Sequence, residues 1–208
     1  MIKEKMRAGN SDLIGGSLCL DFSNTVGWHS SENPQENLNT YHDLVKWSLL
    51  AGILSEDDVR ILIHKATKNP TESERALRRA VRLREAIYRI FSSVAAHSLP
   101  KKEDLALLNW NLSKTMAHSQ LIQTKTGFSW DIKGNKDELD GMLNPIVRSA
   151  ADLLTSDELM RVKKCADDRG CGWLFLDSSR NRSRRWCDMK DCGNRAKARR
   201  FYKKMLKK

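Results

Sequence analysis

Between positions 165 and 192 the chain places four cysteines, Cys165, Cys171, Cys187 and Cys192, in the spacing C-x5-C-x15-C-x4-C. No other feature limits the fold as strongly, because sulfurs this close in sequence must either cross-link or share an ion. Disulfides belong to oxidising compartments. The N-terminal stretch "MIKEKMRAGNSDLIGG" has no apolar run of signal-peptide length, and no window approaches the roughly 20 apolar residues of a membrane span. A cytoplasmic protein with metal-bound cysteines is therefore expected. Four thiolates at about 2.3 Å complete the tetrahedron that Zn2+ prefers and leave no position for water, which makes such a site structural. An iron–sulfur cluster is the metal alternative, usually on other spacings. The expected cofactor is one structural Zn2+.

The residues between the cysteine pairs predict how the site is built. "WLFL" (173–176) reads as a strand, "DSSRN" as a turn and "RSRRW" (182–186) as the returning antiparallel strand. Cys187 and Cys192 then close the site at the start of a last helix, from about Gly193 to Lys207. This order resembles a treble-clef zinc module. On the last helix Ala198, Phe201, Tyr202 and Met205 form the expected inward stripe.

Charge divides the chain at the same place. Residues 1–157 hold 20 basic and 20 acidic residues, whereas 158–208 hold 17 and 6, so the whole net charge of +11 lies in the last quarter. A neutral body with a basic module is the asymmetry expected when one end meets a polyanion. Two units follow, 1–157 and 158–208. The candidate nucleic-acid contacts are Arg180, Asn181, Arg182, Arg184 and Arg185 on the turn and strand, and Asn194, Arg195, Lys197, Arg199, Arg200, Lys203 and Lys204 on the helix. Lysines and arginines would hold phosphates, and Asn181, Asn194 or selected arginines would read base edges.

The N-terminal unit reads as mainly α with a small antiparallel sheet, an α+β arrangement. Leu18, Leu20 and Phe22 alternate with polar or small residues, which predicts a strand over 17–26. Helices are expected from Thr40 to Gly52, after the Ser55-x-x-Asp58 pattern, and from Thr71 to about His97, where Thr71-x-x-Glu74 suggests a capping box. The polar face of that long helix carries Arg75, Arg78, Arg79, Arg82, Arg84 and Arg89, but Glu72, Glu74 and Glu85 share it, so a salt-bridged solvent face is expected there. A further helix begins near Pro100. Alternation around Gly127 predicts a hairpin over 119–134, with the 17–26 strand joining it. Helical segments over 137–154 and 156–164 lead to Cys165.

"CGWLFLDSSRNRSRRWCDMKDCGNRAKARRFYKK" closely resembles the CGNR zinc finger, named for the tetrapeptide at Cys192–Arg195. "GGSLCLDFSNTV", "LREAIYRIF" (83–91) and "GFSWDI" (127–132) are similar to the ABATE domain that usually precedes it. The chain reads Trp28-His29 where members often carry an arginine. The resemblance implies a bacterial stress-induced transcription regulator, with the four cysteines as zinc ligands and the finger as the DNA-binding part.

Other chemistry is poorly represented. No GxGxxG, Walker loop, GxSxG elbow or HExxH is present. The five histidines read as ordinary surface or capping residues, and Cys19, between two leucines, as a small buried hydrophobe. Asp21, Asn24 and Thr25, with Trp28 or Trp47 as a wall, form the best candidate pocket for a small-molecule effector; a self-satisfied turn explains the same residues. The expected function is DNA-binding transcription regulation, with the N-terminal unit sensing or forming a homodimer. An RNA-binding or ribosome-associated protein, and a small-metabolite enzyme with the finger as scaffold, are the alternatives.

Overall fold

The structure, a computed structural model, describes residues 13–132 and 138–206. Lys207, Lys208, Gly134 and Asp137, to which the sequence reading assigned ends of elements, lie outside the described residues. The molecule is mainly α with short two-stranded antiparallel sheets, and it ends in a cysteine cluster and a helix.

Its first element is helix α1 (Leu18–Ser23), where a strand was expected. The alternation that suggested a strand is incidental. Cys19, Leu20, Phe22 and Ser23 are the buried residues, and that i, i+1, i+3, i+4 set is one face of a helix. Phe22 packs on Trp47, ring centroids 5.1 Å apart, and Ser149 fixes the helix start through the Cys19 N–H and the Ser17 hydroxyl. A minimal hairpin follows, β1 (Val26–Gly27) with β2 (Gln35–Glu36).

Helices α2 (Tyr41–Leu50) and α3 (Glu56–Lys68) begin where their sequences predict; α3 starts on the expected Ser55–Asp58 pattern as a reciprocal capping box, and α2 adds one at Thr40–Asp43, each N-cap contributing about 1 kcal/mol. Helix α4 (Pro70–Ala95) instead starts from Asn69 with Pro70 in the first turn, so the Thr71 box does not form. Proline already has the φ a first helical residue needs and lacks the N–H that would go unpaired. The helix runs through the core on Ala76, Ala80, Leu83, Ile87, Ile90 and Phe91. Helix α5 (Lys102–Ala117) packs beside it, and α6 (Leu143–Leu154) packs on α5 and α1, with the hairpin β3 (Ser119–Thr124)–β4 (Gly127–Ile132) between α5 and α6 in the chain. That hairpin forms in the predicted place but pairs only with itself, because its expected third strand is α1.

The stretch 156–164 is also reassigned. After a 3-10 turn (Leu159–Arg161) it becomes strand β5 (Val162–Lys164), which pairs with β6 (Leu174–Leu176). The "WLFL" segment thus finds its partner upstream of the cysteines, and 182–186 forms no strand. Val162 and Leu174 belong to the main core, and the pull of that apolar cluster outweighs the local turn preference of "DSSRN". A π-helical turn (Met189–Gly193) leads into α7 (Asn194–Met205). No helix of the described residues is long and apolar enough to cross a membrane.

Candidate metal centre and basic surface

The β5–β6 hairpin presents the first cysteine pair. Cys165 directly follows β5 and donates its N–H to Trp173 O at 2.8 Å, while the chain turns back through Gly170 and Cys171 into β6. Cys187 comes from the irregular 177–188 segment and Cys192 from the turn before α7. The four Sγ atoms lie within 4.8 Å of one another, all in buried residues, and none is disulfide-bonded. Sulfurs about 2.3 Å from a tetrahedral centre stand about 3.8 Å apart. Cys171 to Cys187 measures 3.6 Å and Cys187 to Cys192 3.7 Å. The donor set and its spacing fit one structural Zn2+ held by Cys165, Cys171, Cys187 and Cys192.

The charge state points the same way. Hydrogen bonds from the neighbouring thiols, Cys171 foremost, push the Cys165 thiol down, and the resulting thiolate pushes Cys171 up. Four buried thiols in contact cannot all ionise unless a cation joins them. The fifth cysteine behaves differently: burial pushes the Cys19 thiol up to about 11, and as expected it is an inert core residue.

The arginines around this centre divide into two sets. Asp167, buried two residues after Cys165, draws Arg169, Arg195 and Arg199, with Arg199 at 2.9 Å. Burial works to raise this carboxyl, but hydrogen bonds from Arg169 and Arg199 outweigh it and hold it below the usual carboxylate range. Arg195 also donates to Cys192 Sγ at 3.0 Å and pairs with Asp191. An outer partner of this kind orients a metal ligand. Arg184 turns inward as well, donating to the carbonyls of Trp186 and Cys187 with its guanidinium 4.5 Å from the Phe175 ring centroid. Asp177, fully buried, accepts from Lys163 at 2.6 Å and from the N–H groups of Ser179 and Arg184. Arg184, Arg195 and Arg199, expected as nucleic-acid contacts, are partly exposed and make contacts within the module.

The second set faces outward. Arg180, Asn181, Arg182, Arg185, Lys197, Arg200, Lys203 and Lys204 are exposed. Among the described residues none of their cationic groups meets a carboxylate within 4.0 Å. Arg185 and Arg200 flank the Trp186 ring at 5.5 and 5.8 Å, so loop and helix contribute to one continuous basic surface. Asn194 is exposed too, its amide donating to Lys190 O at 2.9 Å. The inward stripe expected on α7 is absent: Ala198 is exposed, and Phe201, Tyr202 and Met205 are 61%, 67% and 59% exposed. Helix α7 is held on the body through charges near its start, and none of its residues is buried among the described residues.

The candidate pocket residues do not converge. Asn24 lies across strand β6, its amide donating to Leu174 O and accepting the Leu174 N–H, both at 2.8 Å. Thr25 binds Phe22 O and receives Arg84; Trp47 is core; Trp28 faces Arg169 and Arg195 at 4.9 and 5.1 Å. Asp21 accepts the Gly15 N–H at 2.7 Å, and burial pushes its carboxyl up to about 6. Sequence reasoning had read these residues as a pocket or a self-contained turn; Asn24 and Trp28 instead join the N-terminal region to the metal module.

That joint is extensive. Trp173 Nε1 donates to Val26 O at 2.7 Å, His29 N to Cys171 O at 3.1 Å, Ser30 N to Gly170 O at 3.0 Å and Tyr88 Oη to Gly172 O at 3.0 Å. Gly170 and Gly172 take φ of +93° and +69°, and a side-chain carbon at Gly170 would sit 2.7 Å from Ser31 Cα. Only glycine satisfies both demands. His29, read as a surface residue, stacks on Tyr88 with centroids 3.5 Å apart and meets Glu85 at 3.3 Å. Arg84, placed by its sequence on the polar face of α4, is 2% exposed and bound by Glu36 and Glu85. No local signal marks either burial, since His29 meets Glu85 and Tyr88 from another element and Arg84 is closed over by Glu36, 48 positions away.

Comparison with known families adds identity to this geometry. The ABATE model, described as "Putative stress-induced transcription regulator", matches residues 16–157, and the CGNR zinc finger model matches 161–205. A search of curated proteins finds no match.

Proposed function

We propose that this chain, which belongs to the ABATE family and ends in a CGNR zinc finger, is a transcription regulator that binds duplex DNA through the outward basic surface of its finger. The observation that carries the reading is the division of the arginines. One set is consumed in building the metal module, and a second, continuous from Arg185 to Arg200 across Trp186, has no counter-charge among the described residues. Fixed unpaired cations next to a rigid metal site bind a polyanion by releasing its counterions. The N-terminal region supplies sensing or dimerisation in this reading. Its loop 24–31 and Tyr88 grip the Cys171 turn, which gives a change in that region a direct mechanical route to the finger.

The test is binding of the zinc-loaded chain to a random duplex pool across a salt series, with structured RNA as competitor. Enrichment of one DNA motif is expected. Affinity should fall linearly on log–log axes, and Arg185→Glu with Arg200→Glu should abolish binding while zinc content stays unchanged. Preference for the RNA, or undiminished binding by the charge-reversed protein, would refute the assignment.

A further inference from the structure

Helix α7 carries an aromatic side chain in the middle of its cationic face. Asn194, Lys197, Phe201 and Lys204 follow at spacings of 3, 4 and 3, which places them on one side of the helix. All four are exposed, Phe201 by 61%. The opposite side holds Arg195 and Arg199, drawn to Asp167, and this sets the orientation of the helix on the body. Phe201 thus points away from the protein between two lysines that have no acidic partner among the described residues. Helix α7 buries none of its residues, so packing does not explain a large apolar side chain there.

The charge chooses the occupant. A second copy of this helix would bring like charges together, and an apolar peptide would leave the lysines unanswered. A polyanion answers the cations, and a duplex also offers Phe201 an apolar group. At 12 residues the helix is about 18 Å long and about 10–12 Å across with side chains, which suits a major groove about 12 Å wide. The apolar group that groove presents is the C5-methyl of thymine. Resting on the duplex-DNA reading above, we propose that α7 enters the major groove with Phe201 against a thymine methyl, while Lys197 and Lys204 hold the flanking phosphates. Phe201 is then a specificity-determining residue, and the target is double-stranded DNA with thymine at one defined position.

The experiment uses the full zinc-loaded chain and a duplex enriched by it. Each thymine is replaced in turn by deoxyuracil, which lacks only the methyl, and Phe201→Ala and Lys204→Ala are compared with the parent. Zinc content and circular dichroism of both variants should match the parent, since neither side chain is buried. One uracil position should weaken parent binding about fourfold, the scale of one buried methyl. Phe201→Ala should weaken binding to the thymine duplex at least as much and be insensitive to uracil at that position, the signature of a shared contact. Lys204→Ala should weaken binding to both duplexes alike and lower the salt slope by about one.

A silent uracil scan, or Phe201→Ala binding like the parent, overturns the proposal while leaving salt-dependent duplex binding intact. Tighter binding to single-stranded than to duplex DNA overturns it in favour of base stacking. A dimer that forms without DNA and is lost in Phe201→Ala overturns it in favour of self-association. If the parent shows no salt-dependent duplex binding, both this proposal and the reading it rests on fail.

Discussion

Two helices of this molecule carry rows of basic residues, and they use them in opposite ways. On α4, Arg75, Arg78, Arg79 and Arg89 meet Glu72, Glu74, Asp140 and Asp104, and Arg84 lies buried between Glu36 and Glu85. On α7 only Arg195 and Arg199, on the body side, meet carboxylates, while Lys197, Arg200, Lys203 and Lys204 meet none among the described residues. Under the proposed function, a basic row serves a polyanion only where the fold withholds counter-charges from it. The density of arginines alone does not distinguish the two cases, because pairing is a property of neighbours in space. The helices also differ in support, since α4 buries one face against the core and α7 buries no residue of its own.

Removing zinc should affect the two helices most unequally. Chelation releases the four cysteines that set the start of α7, and structural zinc contributes on the order of 10 kcal/mol to folding such modules. The chelated protein should lose at least 10 °C in Tm, because the Cys171 turn is bonded to the N-terminal region. Its α7 amides should exchange with solvent well before those of α4. Equal exchange in both helices, followed by hydrogen exchange, would break the comparison. Asp167→Ala is the next largest change. It removes the buried acceptor shared by Arg195 and Arg199, which are partly exposed and keep Asp191 and Asp168, and should cost about 2 kcal/mol in chemical denaturation, where a loss below about 1 kcal/mol would mean the inward arginines need no partner. The smallest effect should come from Glu74→Ala on α4, which frees the exposed Arg78 and should change stability by less than about 0.5 kcal/mol. DNA affinity should also stay unchanged. A gain in affinity would show that α4 is a masked binding face.

Legibility from sequence followed the distance between partners. The Ser55–Asp58 cap and the hairpin around Gly127 depend on residues a few positions apart, and each formed where its pattern lay, whereas the Thr71–Glu74 pattern was pre-empted by Pro70 one residue earlier. The cysteine set was legible because metal chemistry constrains residue types more tightly than packing does. What misled was local pattern overruled by remote burial. The alternation in 18–22 dissolved into a helix once Cys19 and Leu20 were both buried, and strand β6 took β5 for its partner because that pairing extends the main core. Phe201 appeared to be core from its helical spacing, yet the described residues leave it exposed.

The sequence by itself determined that this chain has a neutral, mainly helical part and a basic module organised around four thiolates, since composition, cysteine spacing and short-range capping depend on neighbouring residues. Tertiary structure alone decided which arginines are spent inside the module and which face outward. It also decided that the module is bound to the rest of the chain through Asn24, Tyr88 and the two glycines of the Cys171 turn. Asn24 and Leu174 are 150 positions apart, and a hydrogen bond across that separation leaves no trace in the residues around either one. Burial and counter-charge are set where the chain folds back on itself, and there an arginine ends up either paired inside or facing solvent.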